Sequence, residues 1–289
     1  MRTHRSLPIL LTLGIAAAAS AAAQGEAPPA HGLWVWKTAT VLATQSDIDR
    51  LHRLCRSAGV TEVYLSFPSR RDAPLEGRLA ALVAALHGSG WRVEALLSST
   101  DADEPGTPRA HLTAAVQAIV EFNTAHPHAR FDGVHLDIEP QQRAENKGDG
   151  NLRFLPGLIE AYRAVGALAA PAGLGVNADI ARKVLGGTLQ ERRALFGSVS
   201  RVTLMLYEVS RSDDDDAAKI EKLRATSRAM LAKAYADQSG AHLAPLMIGL
   251  RTPDYGTHLP DALAALDDAN RADANYAGWA RHSYNDTLQ

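Results

Sequence analysis

The sequence has few of the residues that crosslink exported proteins or hold cofactors. It contains a single cysteine, Cys55, so it cannot form an intrachain disulfide. Cys55 lies beside Leu51 and Leu54 in a helical pattern, which favours core packing over a reactive thiol. No glycine-rich phosphate loop, Gly-x-Ser-x-Gly sequence or paired-cysteine metal motif is present. The sequence therefore predicts no cofactor and no bound metal.

The chain also lacks a marked excess of either charge. Its 30 Lys and Arg residues oppose 32 Asp and Glu residues, which gives a formal net charge of -2 at pH 7. This balance provides neither a basic face for a nucleic acid nor an acidic tail. We therefore expect no nucleic-acid partner.

The first residues differ in composition from the rest. Two arginines precede an apolar run from Leu7 to Ala19, and small residues continue to Ala23. This order is typical of a secretory signal peptide, and the apolar run is too short for a membrane span. We predict a signal peptide at 1–23, a linker at 24–31 and one domain at 32–289. The protein is expected to be exported, periplasmic or extracellular, with no membrane anchor after signal cleavage.

The predicted domain alternates strand patterns with helical patterns. The predicted strands are Gly32–Trp36, Val60–Phe67, Trp91–Ser98, Val134–Glu139, Leu174–Ile180, Val199–Val209, Leu243–Leu250 and Asn275–Arg281. Helical crossovers between strands produce a parallel sheet, and eight strands in about 250 residues favour a closed (β/α)8 barrel, the TIM barrel. Residues 284–289 are too few for an eighth helix, so we expect that helix to be missing or minimal.

The fourth predicted strand has one apolar face and one ionisable face. Successive side chains of a strand point to opposite faces, so His135, Asp137 and Glu139 lie together. In a barrel of this class, polar residues at the carboxyl ends of the strands meet at one rim. This strand is therefore the predicted centre of the functional site.

Further polar and aromatic residues are predicted at the same rim. They are Asn177 and Asp179 on the fifth strand, Tyr207 and Glu208 on the sixth, Arg251 after the seventh, and Trp34, Trp36 and Trp279 on the first and eighth. Acids together with flat apolar surfaces suit a carbohydrate. Each tryptophan could either stack on a sugar ring or pack in the core, and we slightly favour Trp279 as a sugar platform.

The stretch Phe131–Glu139 resembles the fourth-strand signature of the family 18 glycoside hydrolases, the chitinase-like barrels. That signature is written Asp-x-x-Asp-x-Asp-x-Glu. Asp132, Asp137 and Glu139 match it, and His135 replaces the middle aspartate.

Three later segments also resemble this family and occur in the right order. Met205–Glu208 is similar to its sixth-strand Met-x-Tyr-Asp, with glutamate as the last residue. Met247–Leu250 is similar to the seventh strand, and Gly278–Trp279 to the tryptophan of the eighth. The resemblance therefore covers most of the predicted domain and implies a TIM barrel.

The resemblance implies a retaining, substrate-assisted hydrolysis. In such a reaction Glu139 protonates the glycosidic oxygen, Asp137 orients the substrate's 2-acetamido group, and Tyr207 helps to hold the ring that forms. Like-charge repulsion from a neighbouring carboxylate raises the pKa of the acid. The family needs no second carboxylate nucleophile. The expected function is an exported glycoside hydrolase acting on a polysaccharide or oligosaccharide, with amino-sugar polymers as one candidate.

His135 leaves other interpretations open. A cationic imidazole here would favour ionised Asp137 and Glu139 and so weaken the acid, which predicts a barrel that binds carbohydrate without cleaving it. A histidine hydrogen-bonded inside the barrel would fit equally well. A metal triad of these three residues is disfavoured, because alternate side chains of a strand lie about 6.6 Å apart.

Overall fold

The computed structural model describes residues 28–68, 73–148, 150–209, 214–236 and 243–288. The predicted signal peptide and residues 24–27 of the predicted linker lie outside these ranges. None of the helices within the ranges has the length and apolar character that a membrane crossing requires.

Eight parallel strands close into a barrel in chain order, with β8 pairing back to β1. They are β1 (Ala30–Val35), β2 (Glu62–Ser66), β3 (Arg92–Ser99), β4 (Gly133–Ile138), β5 (Gly175–Ala181), β6 (Arg201–Met205), β7 (Leu246–Arg251) and β8 (Tyr276–His282). The predicted (β/α)8 fold is confirmed. One boundary differs, because Ala30 and His31 pair with β8 and therefore belong to a strand, whereas the sequence placed them in the linker.

Helices cover the outside of this barrel between successive strands. They are α1 (Thr38–Val41), α2 (Gln45–Ser57), α3 (Ala73–Gly88), α4 (Thr107–Ala125), α5 (Leu155–Ala169), α6 (Leu189–Phe196), α7 (Asp216–Tyr235), α8 (Thr252–Tyr255) and α9 (Leu259–Asn270). Local sequence sets several of their starts. Thr188 and Glu191, for example, form a capping box at the start of α6, in which each side chain bonds the other residue's backbone N–H.

The flank between α9 and α2 is thinner than the others. In the described part of the chain, β8 is followed by a short 3-10 helix, Tyr284–Leu288, and by no α-helix. A groove of about 360 Å³ remains there, with His31 and Trp279 among its lining residues. The crossover that would cover β8 and β1 in a complete (β/α)8 barrel is therefore minimal here.

The strands bury both of their faces, as expected for a parallel barrel. The outward side chains form the main core against the helices. Inside the barrel, Trp34, Tyr64, Leu96, Met247 and Ala280 form a separate cluster. The interior is therefore packed with side chains, and a cavity lies above them at the carboxyl ends of the strands.

Gly278 is required where β8 closes against β1. Its φ is +119°, and a Cβ added to it would lie 1.9 Å from the carbonyl oxygen of Ala30. That oxygen belongs to the backbone of the neighbouring strand, so a side-chain rotation cannot relieve the contact.

We therefore expect Gly278→Ala to lower the free energy of unfolding by about 3 kcal/mol or more, since it combines a disfavoured φ with overpacking. Gly77 of α3 provides the matched control, because a Cβ there would meet no heavy atom within 4 Å. Gly77→Ala should stabilise the protein by about 0.5–1 kcal/mol. Urea unfolding followed by circular dichroism measures both changes, and equal midpoints for Gly278→Ala and wild type would contradict the expectation.

Candidate active site

A cavity of about 490 Å³ lies at the carboxyl ends of the strands. Its lining residues come from several strands and from the segments that follow them. They are Trp34, Trp36, Asp137, Glu139, Gln142, Asp179, Met205, Tyr207, Arg251 and His282. Most of the site residues predicted from the sequence are therefore brought together, and Gln142, Met205 and His282 are additions.

Asp137 is nearly enclosed beside Asp179. The register pairs Leu136 of β4 with Ala178 of β5, so Asp137 and Asp179 are the next residues on adjacent strands. Asp137 is 7% exposed, and its Oδ1 has no hydrogen-bond partner among the described residues. This oxygen is itself buried, so the unpartnered atom lies against the protein, while the exposed part of Asp137 lines the cavity.

His135 lies one layer below the cavity, between two carboxylates. Its Nδ1 is 3.0 Å from Oε2 of Glu94, and its Nε2 is 2.8 Å from Oδ1 of Asp179. Its ring stacks on Tyr64 with a centroid distance of 3.9 Å. Burial alone would lower the pKa of His135, but Asp179 and Glu94 raise it to about 9. At neutral pH the ring is a cation that donates from both nitrogens.

Glu94 connects His135 to a deeper set of charges. Its Oε1 accepts hydrogen bonds from Asn177 at 2.6 Å and from Arg92 at 3.0 Å, and Nη2 of Arg201 lies 3.8 Å from it. Burial would raise the pKa of Glu94, but His135 and Arg201 hold it well below its usual range. Arg201 in turn forms a bidentate ion pair with Glu62. Charges of alternating sign therefore extend through the barrel interior.

Asn177 belongs to this deeper layer. It is buried and donates to Glu94, and it is not among the residues that line the cavity. The sequence assigned it to substrate because it shares a face with Asp179. It lies two residues earlier on β5, one layer farther from the rim, where its amide supports Glu94.

The expected effect of His135 on the rim carboxyls is outweighed by other groups. His135 lowers the pKa of Asp137, as expected of a cation, but it is also paired with Glu94 and Asp179. Burial, followed by Asp179 and Glu139, raises the pKa of Asp137 well above its usual value. Burial also raises the pKa of Glu139 and outweighs the hydrogen bond from Gln142, and Asp179 adds a smaller contribution that raises it further. Both carboxyls therefore keep a proton to higher pH than a free carboxyl does.

Glu139 stands at the end of β4, where Pro140 begins a short 3-10 helix, Pro140–Gln142. That turn brings two amides back to the carboxyl. Nε2 of Gln141 lies 3.0 Å from Oε1, and Nε2 of Gln142 lies 3.3 Å from both oxygens. The backbone N–H of Glu139 also bonds the carbonyl of Ser99. The side chain is thus oriented while it remains half-buried at the cavity.

The three rings that line the cavity near β1 and β8 have different surroundings. Trp34 is fully buried, and its Nε1 donates to Oδ2 of Asp179 at 2.9 Å. Trp36 is partly exposed and donates to Nε2 of His282 at 2.9 Å. Burial lowers the pKa of His282, so this ring is a neutral acceptor. Trp34 therefore acts mainly as a core aromatic whose edge reaches the cavity, whereas Trp36 is accessible to a ligand.

Trp279 is not part of this cavity. It is 3% exposed and stacks on His31 outside the barrel, with a centroid distance of 4.1 Å. Ala280 and His282 occupy inward positions of β8, so Trp279 and Arg281, which alternate with them, face outward toward the helices. The alternation of side chains along β8, followed as far as His282, would have predicted which residues of this strand face the barrel interior.

The rim beyond Tyr207 is organised by Arg251. Its guanidinium lies 6.0 Å from the ring centroid of Tyr207 and bonds Glu208 at 3.1 Å and Asp254 at 2.6 Å. Glu208 has a positive φ of 54° and an exposed side chain. Glu208 is therefore outside the cavity lining, and its carboxylate holds Arg251. Burial, with the nearby carboxylates, raises the pKa of Tyr207 well above its usual value, so its O–H remains a donor.

The remaining residue of the fourth-strand motif is structural. Oδ2 of Asp132 accepts from the backbone N–H of Val93 at 2.7 Å and lies 3.0 Å from Nε2 of His87. It therefore fixes the start of β4 to β3 and α3. The metal interpretation of the motif meets a geometric obstacle, because His135 uses both ring nitrogens on carboxylates. Among the described residues, no group of three His, Cys, Asp or Glu side chains is arranged to hold a metal ion.

No protein-family model matches the sequence, and a search of curated proteins finds no match. Solved structures do match. A GH18 chitinase from Pseudoalteromonas aurantia is 11% identical with a TM-score of 0.54, covering 89% of this chain and 94% of that one. A chitinase from Bacteroides thetaiotaomicron is 14% identical with a TM-score of 0.54, covering 90% and 92%. The spore cortex-lytic enzyme SleL from Bacillus megaterium QM B1551 is 11% identical with a TM-score of 0.57, covering 88% and 70%.

These similarities establish the fold. Alignments with three longer chains cover between 64% and 68% of those chains, so this protein corresponds to part of their length. The neighbours are GH18 chitinases and related glycoside hydrolases, and this chain shares their barrel, as the resemblance of its fourth strand predicted.

The ion pairs of His135 make stability depend on pH. The folded-state pKa of about 9 lies above the usual pKa of 6.5 for an unpaired histidine. The folded protein therefore keeps a proton that the unfolded chain releases in this range. The stabilisation is complete below pH 6.5 and is lost as the pH rises through 9.

We expect the wild-type free energy of unfolding to fall by about 3 kcal/mol between pH 6.5 and 9 through this residue. His135→Gln should lack this pH-dependent fall in the free energy of unfolding. His128→Gln, which changes an exposed histidine, should retain it. Urea unfolding at half-unit pH intervals gives the three curves. Parallel curves for wild type and His135→Gln would show that His135 is not a buried cation.

Proposed function

We propose that this chain is an exported glycoside hydrolase, a divergent relative of the family 18 enzymes, that cleaves oligosaccharides or polysaccharides by a retaining, substrate-assisted mechanism. The observation that carries the proposal is the pair of carboxyls, Asp137 and Glu139, at the rim of a barrel cavity with aromatic walls. Both have a raised pKa. The shared fold with chitinases supports the class of reaction, and the composition of residues 1–23 supports export.

Glu139 is the general acid. It is half-buried at the cavity, and its raised pKa keeps the carboxyl protonated closer to neutral pH. Its proton passes to the glycosidic oxygen while the bond from that oxygen to C1 breaks, and the bonding electrons stay with the leaving oxygen. Gln141 and Gln142 hold the carboxyl in place during this transfer.

Asp137 serves the substrate's 2-acetamido group. The carbonyl oxygen of that group bonds to C1 as the leaving group departs, which closes a five-membered ring and places positive charge on it. The carboxyl of Asp137, which lines the cavity, accepts a hydrogen bond from the acetamido N–H. Water then attacks C1, and the bond from C1 to the acetamido oxygen breaks, which restores the neutral acetamido group. The carboxylate of Glu139 recovers a proton from that water.

Tyr207 and Trp36 complete the site. The O–H of Tyr207 can donate to the acetamido oxygen during ring closure, because its raised pKa keeps it protonated. Trp36 offers a partly exposed indole face to a sugar ring, and Arg251 also lines the cavity. Stacking on an indole together with a small number of polar contacts is a usual way to bind a sugar.

Glu139→Gln should reduce kcat by at least about a hundredfold, because an amide cannot supply the proton and general acid catalysis contributes about 10²–10⁴-fold. Release of reducing ends from a panel of glycans measures the change. Glu160→Gln is the matched control, since Glu160 is exposed on α5 and pairs only with Arg163 among the described residues. It should retain wild-type activity.

Equal turnover by wild type and Glu139→Gln would refute the assignment of the acid. Saturable glycan binding without turnover in wild type would support instead a catalytically silent carbohydrate-binding barrel. That second candidate rests on His135 as a charge that weakens the acid and on residues 97–100, which are Leu-Ser-Ser-Thr where the family usually has a Ser-x-Gly-Gly turn. The pairing of His135 with Glu94 and Asp179 weakens the first of these two grounds.

The proposed substrate-assisted mechanism leads to a separate prediction about which substrates are cleaved. Matched aryl glycosides that carry a 2-acetamido group should be cleaved, and the corresponding 2-hydroxy glycosides should be cleaved at least about a hundredfold more slowly, since the second set lacks the internal nucleophile. Release of the aryl group is followed by absorbance. Comparable kcat/KM values for the two sets would rule out acetamido participation.

A further inference from the structure

Asp179 occupies the centre of the site's charged groups without being a residue of the fourth-strand motif. It is 1% exposed and adjoins Asp137 across the β4–β5 ladder, where the register pairs Leu136 with Ala178. Asp179 contributes to the electrostatic environment of Asp137, Glu139 and Tyr207. A buried carboxylate in this position acts on every group proposed to handle the proton.

The contacts of Asp179 favour its charged form. Oδ1 accepts from Nε2 of His135 at 2.8 Å, and Oδ2 accepts from Nε1 of Trp34 at 2.9 Å. An indole nitrogen can only donate, and a histidine held between two carboxylates donates from both of its nitrogens. Both oxygens of Asp179 are therefore committed to N–H donors, which stabilise a carboxylate.

Asp137 has the opposite surroundings. It is buried, its Oδ1 has no partner among the described residues, and no cation forms an ion pair with it in the described structure. A carboxyl that is enclosed next to a fixed negative charge keeps its proton. The two adjacent buried acids therefore differ in their partners, because each oxygen of Asp179 has an N–H donor and one oxygen of Asp137 has none among the described residues.

We propose that Asp179 is the fixed negative charge that retains the proton of the Asp137–Glu139 pair, and that His135 and Trp34 are positioning residues that hold Asp179 against Asp137. The proposal rests on the function proposed above, because it concerns the proton that Glu139 donates. In the signature that β4 resembles, a carboxylate precedes Asp137 by two residues on the same strand. Here histidine occupies that position, and the neighbouring carboxylate comes from β5.

Other titratable and charged groups around the pair come from every neighbouring element. They are Glu94 on β3, His135 on β4, Tyr162 on α5, Arg201 on β6, Tyr207 after β6, Arg251 on β7 and His282 on β8. Tyr162 donates to the backbone carbonyl of Asp179, and Arg251 is already paired with Asp254 and Glu208. Neither of these contacts neutralises the side chain of Asp179, whose cationic partner is His135.

The test is a titration of the free protein by carbon NMR with label in the carboxyl groups of Asp and Glu. Loss of a signal in Asp137→Asn and in Glu139→Gln assigns the two resonances. Asp179→Asn should lower the titration midpoint of Asp137 by about one unit or more, because it removes the like charge. Asp267→Asn is the matched control, since Asp267 is a buried carboxylate bonded to His31 and Tyr276 outside the barrel, and it should leave the midpoint unchanged.

An unchanged or higher midpoint of Asp137 in folded Asp179→Asn would overturn the proposal. If circular dichroism shows that this variant does not fold, nitrogen NMR of His135 in wild type decides instead. Two protonated ring nitrogens at pH 7 support an ion pair with Asp179, and a neutral ring overturns it. Neither NMR measurement requires turnover. If the protein cleaved no glycan, the proposed function would be refuted, but the measurements would still decide the role of Asp179.

Activity provides a second readout for the positioning role. The alkaline limb of the kcat/KM profile reports the acid of the free enzyme. The alkaline limb should move to lower pH in Asp179→Asn. A shift of one pH unit corresponds to about a tenfold loss of kcat/KM at alkaline pH. A loss of activity that is equal at every pH would indicate a purely structural role and contradict the proposal.

Discussion

The interior of the barrel depends on one buried cation held between two carboxylates. His135 binds Glu94 on one side and Asp179 on the other, and each bond involves a group whose burial would be costly without a partner. Through Glu94 this arrangement reaches Arg201 and the base of the barrel. Through Asp179 it reaches the rim. A single side chain on β4 therefore joins the packed lower layers to the chemistry above them.

Much of the fold and the centre of the site followed from local pattern. The alternation of β4 placed Asp137 and Glu139 on one face at the end of a strand, and the repeat of strand and helix predicted the barrel. These properties depend on residues close together in the chain. The role of His135 could not be predicted in the same way, because its partners Glu94 and Asp179 are 41 and 44 residues away in sequence.

The remaining misplacements have a similar cause. Trp279 was assigned by its likeness to a family position, but the side of a strand is fixed by register, and a shift of one residue reverses it. Asn177 lies on the same face of β5 as Asp179, as predicted, but one layer farther from the rim. Its depth depends on how the strands are staggered in the closed barrel. Glu94 was within a predicted strand, yet nothing in its neighbourhood in the sequence identified it as the partner of a histidine on β4.

The enclosure of the Glu94–His135–Asp179 group also affects how the protein responds to its surroundings. Their side chains are at most 1% exposed, and dissolved ions screen buried charges far less than exposed ones. The charge balance within this group is therefore set by the protein and depends little on the salt around it. The ion pairs that join the lower layers of the barrel to its rim persist in dilute and in saline media alike.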